Sequence, residues 1–115
     1  MAKYSDIKGF TVQTVSTDPA ASAAASGSWA SGGNMNTTRA YGGGAGIQTA
    51  ALAFAGVTPA QTANTESYDG SSWTEVNNMN SAVGYLQSAG VTYTAALGIG
   101  GHRPSNPTAF TESWD

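Results

Sequence analysis

Short apolar runs broken by Gly, Pro and polar residues dominate the chain from about residue 39 onward. The run TAALAFAG at 49–56 is apolar and ends in Gly, a pattern that favours a strand buried on both faces. The preceding stretch RAYGGGAGIQ at 39–48 is Gly-rich, which suits an innermost strand where only small side chains fit. These two segments predict the first two strands of a sheet.

Two more strands follow on the same pattern. TESYD at 65–69 and SSWTEV at 71–76 are rich in β-forming residues, and Asp69-Gly70 between them predicts a two-residue type I′ turn. The segment VTPAQTAN at 57–64 contains Pro and polar residues, so we expect a long loop there. Only the Ala-rich patch at 20–26 shows even a weak helical period, and we therefore predict an all-β fold.

The same pattern occurs twice along the chain. GSWASGGNMNTTRAYGGGAG from Gly27 aligns without a gap to SSWTEVNNMNSAVGYLQSAG from Ser71, a period of 44 residues. After Gly90 the second copy has one extra residue, and AALGIGG at 95–101 then corresponds to AALAFAG in the first copy. Periods of this length built from short strands are typical of propeller blades, each a four-stranded sheet that cannot bury both faces alone.

The repeat divides the chain into a leader at 1–26 and about two four-stranded blades at 27–115. Residues 40–76 form the first blade, and 84–115 provide the first three strands of the second. Residues 27–32 resemble a fourth strand that has no blade before it, so we expect each subunit to donate this strand to a neighbour, closing a ring by head-to-tail strand exchange. The expected subunit interface comprises Gly27, Ser28, Trp29, Thr111, Glu112, Ser113, Trp114 and Asp115.

The sequence predicts the contact between subunits but not the number of subunits in the ring. Three chains would give six blades, and we favour this trimer; two chains would give four blades and four chains eight, within the known range. A contact whose rotation does not close would instead build a filament.

Charge and composition narrow the partners. Only 10% of the residues are charged and the net charge is -3. Nucleic-acid grooves need clustered Lys and Arg, so we expect no nucleic-acid partner. The absence of Cys excludes disulfides and thiolate zinc sites, and no segment is long and apolar enough to predict insertion in a membrane.

No residue pattern predicts catalysis, and we expect a non-enzymatic protein without cofactor or metal. His102, the one histidine, is followed by Arg103 in a predicted loop and matches no known triad. Glu66 and Glu112 occupy the same place in the two copies, which indicates one structural role per blade. Candidate ligand contacts are Tyr68, Trp73, His102 and Arg103, although repeated Trp and Tyr more often fill the space between blades.

The spacing of small and aromatic residues resembles the kelch motif: Ala55-Gly56, Tyr68 and Trp73 in the first copy, Gly100-Gly101 and Trp114 in the second. Phrases such as TESYDGSSWTEVNNMN and GGAGIQTAALAF are similar to kelch-like repeat proteins of tailed phages from aquatic environments. The first copy has Ala55-Gly56 where the motif prefers Gly-Gly, and the phage proteins carry more than two copies. DIKGFTVQTVSTDP near the N-terminus also resembles their short leader.

The resemblance implies a phage virion protein made in the host cytoplasm: a tail fibre, spike or head decoration with a role in host-surface attachment. Its partners would be other copies of itself, and other virion proteins bound through residues 1–26. FTVQTV at 10–15 alternates as an edge strand would, and STDPAASAAAS reads as a tether. Two alternatives remain open: a lectin that binds host-surface glycans through aromatic pockets between blades, and a subunit of a repeating extracellular filament.

Overall fold

The structure is a computed structural model that describes residues 27–115. The chain divides into two units, Met1–Ser31 and Gly32–Asp115, and all the strands described lie in the second. Residues 27–115 contain nine β-strands and no helix, which confirms the all-β prediction for this part of the chain. Accordingly, nothing in the described residues is a helix of membrane-spanning length and apolarity. The predicted leader, with its edge strand at 10–15 and tether, lies outside the described residues.

The first four-stranded sheet, sheet 1, is antiparallel with the strand order β1-β2-β5-β6. Its strands are β1 (Gly43–Ile47), β2 (Ala50–Phe54), β5 (Thr65–Tyr68) and β6 (Trp73–Val76). All four fall within the segments that the sequence pattern predicts as strands. They pair along the chain as a meander, because each strand returns beside the one before it.

Sheet 1 corrects two details of the prediction. The segment at 57–64 is not a plain loop, since β3 (Val57–Thr58) and β4 (Ala60–Gln61) form a small hairpin within it. The turn after β5 is centred on Gly70 and Ser71, not on Asp69-Gly70. Gly70 has a φ of 97°. The Asp69 N–H donates to the Ser72 carbonyl at 3.2 Å, which places Gly70 and Ser71 between the two bonded residues. The Asp69 carboxylate accepts the N–H groups of Ser71 and Ser72, both at 2.8 Å, and so holds the turn from its first residue.

The second sheet, sheet 2, repeats the first three strands of this meander. It contains β7 (Gln87–Thr92), β8 (Ala95–Ile99) and β9 (Thr111–Trp114), in that order and antiparallel. The β7–β8 register shifts between Ala89 and Thr92. The shift reaches the segment at 91–94, where the second copy has one residue more than the first, so the extra residue is absorbed at the end of the hairpin.

The two sheets meet along their first strands, β1 and β7. The Ser88 hydroxyl donates to the Gly44 carbonyl at 3.0 Å and accepts the Gly44 N–H at 3.2 Å. A Cβ at Gly43 would lie 2.6 Å from the Phe54 ring and 3.1 Å from the Ser88 Cβ, so only Gly fits there without displacing a neighbour. The crowding explains why this strand is Gly-rich.

Beyond the contact between β1 and β7, the face of sheet 1 that carries Leu52 packs on the face of sheet 2 that carries Ala96. The cluster of buried apolar side chains consists of Leu52, Phe54, Ala55, Val83, Leu86 and Ala96. Partly buried Met79, Phe110 and Trp114 pack against it. The described core is therefore shared by the two sequence repeats, as expected for units that cannot bury their faces alone.

Candidate functional site

The outermost described strand of sheet 2 corresponds to an inner strand of sheet 1. In sheet 1, β5 pairs with β2 on one side and with β6 on the other. The equivalent strand β9 pairs with β8, and no strand among residues 27–115 pairs with its other side. The predicted interface residues Thr111, Glu112, Ser113 and Trp114 form this strand, and Asp115 follows it. Of the other predicted interface residues, Gly27, Ser28 and Trp29 lie outside any strand and are exposed.

One face of sheet 2 is more exposed to solvent than the equivalent face of sheet 1. We call the face of each sheet that carries a repeated Leu its leucine face, with Leu52 and Phe54 in sheet 1 and Leu97 and Ile99 in sheet 2. Leu52 and Phe54 are 2% and 3% exposed, whereas Leu97 and Ile99 are 38% and 41% exposed. Sheet 2 covers the leucine face of sheet 1, and no described residue covers that of sheet 2 to the same extent. An exposed apolar surface of this kind is typical of an interaction site.

The opposite face of each sheet, which we call its alanine face, carries Ala51 and Ala53 in sheet 1 and Ala96 and Gly98 in sheet 2. Beside Ala53 on this face, the Glu66 carboxylate is fully buried and accepts the Asn36 N–H at 2.7 Å and the Arg39 guanidinium at 2.5 Å. Burial by itself raises the pKa of Glu66. The hydrogen bonds from Asn36, Arg39 and Thr37 outweigh this effect and lower the pKa below its usual value.

Arg39 also donates to two backbone carbonyls, those of Ala55 at 3.1 Å and Asn64 at 2.6 Å. Its guanidinium therefore ties the segment before β1 to the ends of β2 and β5. Such a buried, multiply bonded ion pair fixes structure, because removing either partner leaves a charge without compensation.

The second copy keeps half of this arrangement. Asn80 N–H donates to the Glu112 carboxylate at 2.7 Å, matching the Asn36–Glu66 bond, and this repetition supports the prediction of one structural role per copy. The position of Arg39 is taken by Val83, which is fully buried in the core. Sequence reasoning missed the Arg39–Glu66 pair because only one of the two copies contains the arginine.

The four candidate ligand residues form two separate pairs. Tyr68 and Trp73 face each other across β5 and β6 with ring centroids 4.9 Å apart, and the Trp73 indole N–H donates to the Gly33 carbonyl at 3.1 Å. Trp73 is partly buried, so its ring serves packing within the sheet. No hydrogen bond or ring contact in the described chain joins this pair to His102 or Arg103.

His102 and Arg103 lie in the connection between β8 and β9. His102 exchanges backbone hydrogen bonds with Gly84, at 2.8 and 3.0 Å, and the two residues form an isolated antiparallel bridge. Arg103 donates to the Ser81 hydroxyl at 2.8 Å and lies 5.4 Å from the centre of the Phe110 ring. These contacts account for both residues as parts of an ordered loop.

Two aromatic features escaped sequence reasoning. Tyr41 and Tyr85, which align in the repeat, stack with centroids 4.4 Å apart, and both have a positive φ, 57° and 59°. Tyr93 lies in the segment where the second copy has one extra residue, and it lines an open, mainly apolar cavity of about 210 Å³. The other lining residues are Ile47, Ala50, Val91, Thr92 and Thr94. The alignment of the tyrosines and the insertion itself were the available signals.

Between residues 27 and 115, His, Asp and Glu side chains do not gather in groups of three or more that could hold a metal ion. The buried carboxylate is fully engaged with its backbone and Arg39 donors. Within the described residues, the exposed leucine face of sheet 2 is the surface suited to association.

Comparison with models of known protein families and with curated protein sequences gives no match for this chain.

Proposed function

We propose that this chain is a non-enzymatic structural protein of a phage virion, whose two sheets are blades of a homo-oligomeric, kelch-like β-propeller. The single observation that carries the proposal is the exposed leucine face of sheet 2, since the equivalent face of sheet 1 is covered by another sheet of the same chain. A trimer with six blades is the favoured ring. The link to phages rests on the resemblance of the repeated phrases, and the leader at 1–26 would bind other virion proteins.

The internal repeat also contains a segment that would pair with the outer side of β9 in a neighbouring copy. Residues 27–32 align with residues 71–76, which contain the whole of β6, and Trp29 aligns with Trp73. In sheet 1, the Trp73 ring packs against the tilted ring of Tyr68, whose equivalent in β9 is Trp114. The proposed donated strand would therefore pair with β9 of a neighbouring copy and place Trp29 against the partner's Trp114. Exposed Trp29 and partly exposed Trp114 would both gain burial.

Substitution of Trp29 tests the donated strand. Trp29→Ala should weaken self-association, because an aromatic pair contributes about 0.5–1.5 kcal/mol beyond its buried area. Trp29→Tyr should restore most of the association. Sedimentation velocity over a concentration series measures the effect, with circular dichroism to verify the fold. Equal association of the alanine variant and the parent protein would contradict strand donation through residues 27–32.

Composition of the particle tests the virion assignment. Mass spectrometry of gradient-purified virions from the source phage should detect peptides of this chain at a constant ratio to the major capsid protein. Peptides found only in the lysate, and absent from intact particles, would rule out a structural role in the virion.

Glycan binding is a second candidate because of the cavity at Tyr93. An aromatic ring beside Thr92 and Thr94 hydroxyls, with no charged group in the lining, suits the apolar face of a neutral sugar. A glycan array would compare the parent protein with Tyr93→Ala, and Trp73→Ala would serve as the control for aromatic loss elsewhere. Binding that survives Tyr93→Ala would exclude this cavity as the sugar site.

A further inference from the structure

The contact between the two sheets can be read as a template for a contact between two chains. Sheet 1 and sheet 2 are copies of one unit, and they pack leucine face to alanine face. Among the described residues, one face of each kind has no second sheet packed on it. These are the leucine face of sheet 2, with Leu97 and Ile99, and the alanine face of sheet 1, with Ala51 and Ala53.

We infer that the leucine face of sheet 2 binds the alanine face of sheet 1 in a second copy of this chain. The inference rests on the proposed homo-oligomer and names the surfaces that hold it together. The contact is heterologous, because two different faces meet, and it propagates from chain to chain in one direction.

Side-chain sizes at the two contacts support this partner. Within the chain, the large Phe54 ring faces Gly98, where an added Cβ would lie 3.3 Å from the ring. Between chains the same positions hold Ile99 and Ala53. The smaller residue on the leucine face is thus matched by the larger residue on the alanine face. Such a compensating exchange conserves the volume at the contact, which packed interiors require.

Charge is compatible with the same contact. The residues that would meet near the first strands and β2 or β8 are Ala, Gly, Leu, Ile and Gln, without an ionised side chain. On sheet 1 the nearest carboxylate, Glu66, is buried and paired with Arg39, so it presents no free charge to a partner. The contact would bury apolar area without an uncompensated ion.

The template also fixes the register, and this makes the inference precise enough for cross-linking. Within the chain, a Cβ at Gly43 would lie 3.1 Å from the Ser88 Cβ. Gln87 is the repeat equivalent of Gly43, and Gly44 is the equivalent of Ser88. Gln87 of one copy should therefore lie beside Gly44 of the next, close to the Cβ separation that a disulfide needs.

The chain contains no Cys, so engineered thiols report this contact alone. Gln87→Cys and Gly44→Cys are made as separate full-length proteins, mixed and oxidised with glutathione. A Cβ at Gly44 meets only the Leu52 carbonyl, at 3.4 Å, so the substitution is tolerated. The control mixture replaces Gly44→Cys with Thr74→Cys, an exposed position on the outer strand β6. Light scattering of the parent protein accompanies the cross-linking.

The mixture of Gln87→Cys and Gly44→Cys should give about tenfold or more cross-linked dimer than the control mixture, because a docked partner raises the effective thiol concentration. Each variant alone should give little. Self-association of the parent protein without the specific cross-link would overturn the paired faces and leave the proposed oligomer standing. A strictly monomeric parent protein would overturn both. A cross-link that forms at the same rate in a Trp29→Ala background would support the faces and contradict the contribution of Trp29 to strand donation.

Discussion

Sheet 1 and sheet 2 contain nearly the same sequence in different surroundings. Leu52 and Leu97 stand at the same place in AAL, yet their exposed fractions are 2% and 38%. Glu66 and Glu112 both accept an Asn N–H at 2.7 Å, yet only Glu66 has an arginine partner. The difference shows that burial here is a property of the neighbour that a sheet acquires, and not of its own residues.

The buried ion pair should give the largest difference between the sheets. Glu66→Ala leaves Arg39 buried without its counter-charge, and we expect it to lower the free energy of unfolding by about 3–5 kcal/mol. Glu112→Ala removes one hydrogen bond at a partly exposed carboxylate, for which we expect about 0.5–1.5 kcal/mol. Urea unfolding of both variants in dilute solution measures the difference. Equal losses would contradict the structural distinction between the two carboxylates.

Truncation of the repeated leucine should give the next largest difference. Leu52→Ala removes buried methyl groups and leaves a cavity, so we expect a loss of about 2–5 kcal/mol in stability. Leu97→Ala should cost well under half as much in the isolated chain, because Leu97 is already partly solvated. At concentrations where the protein self-associates, the cost of Leu97→Ala should rise, and an unchanged cost there would argue against the proposed interface.

Acid should act more strongly on sheet 1 than its charge count suggests. The pKa of Glu66 is lowered in the folded chain, so its contribution to stability is complete above its usual value of 4.5 and is lost as the pH falls through the folded pKa. Glu66→Gln should be less stable than the parent protein at pH 7, and the gap should narrow below pH 4.5. A gap that stays constant from pH 7 to pH 3 would contradict an ionised, hydrogen-bonded Glu66.

The smallest effect is expected at the turns. The pKa of Asp69 is lowered by the backbone N–H groups of Ser72 and Ser71, which its carboxylate accepts. Asp115, its repeat equivalent, precedes no such turn within the described residues. Asp69→Ala should therefore lower the unfolding midpoint slightly, and Asp69→Asn should lower it less because the amide oxygen can still accept.

Local patterns in the sequence predicted the strands well. The apolar AALAFAG, the Gly-rich first strand and the Tyr-Trp phrase all carry short-range signals, and each lies in a strand of sheet 1. The hairpin at 57–61 was missed because two-residue strands carry almost no periodicity. The turn was misplaced by one residue because the Asp69 side chain, and not a left-handed Asp backbone, closes it.

Long-range features were predictable only where both repeats share them. The common role of Glu66 and Glu112 followed from their alignment, whereas the Arg39 partner is present in one copy alone. The exposure of Leu97 could not be predicted from its segment, because the equivalent segment of sheet 1 has a similar sequence and is buried. The two differ in whether another sheet packs on them. The expected interface at Trp29 and β9 stays a prediction, as does the ring that would join them.

The most direct test of the account is the mass of the full-length, undenatured protein by native mass spectrometry, supported by light scattering over a range of concentrations. We predict one discrete closed oligomer, a trimer of three times the chain mass of 11.6 kDa. Replacement of Leu97 by Asp should dissociate it to a folded monomer. A parent protein that is monomeric at every concentration would contradict the central claim that β9 and the leucine face of sheet 2 bind other copies of the same chain.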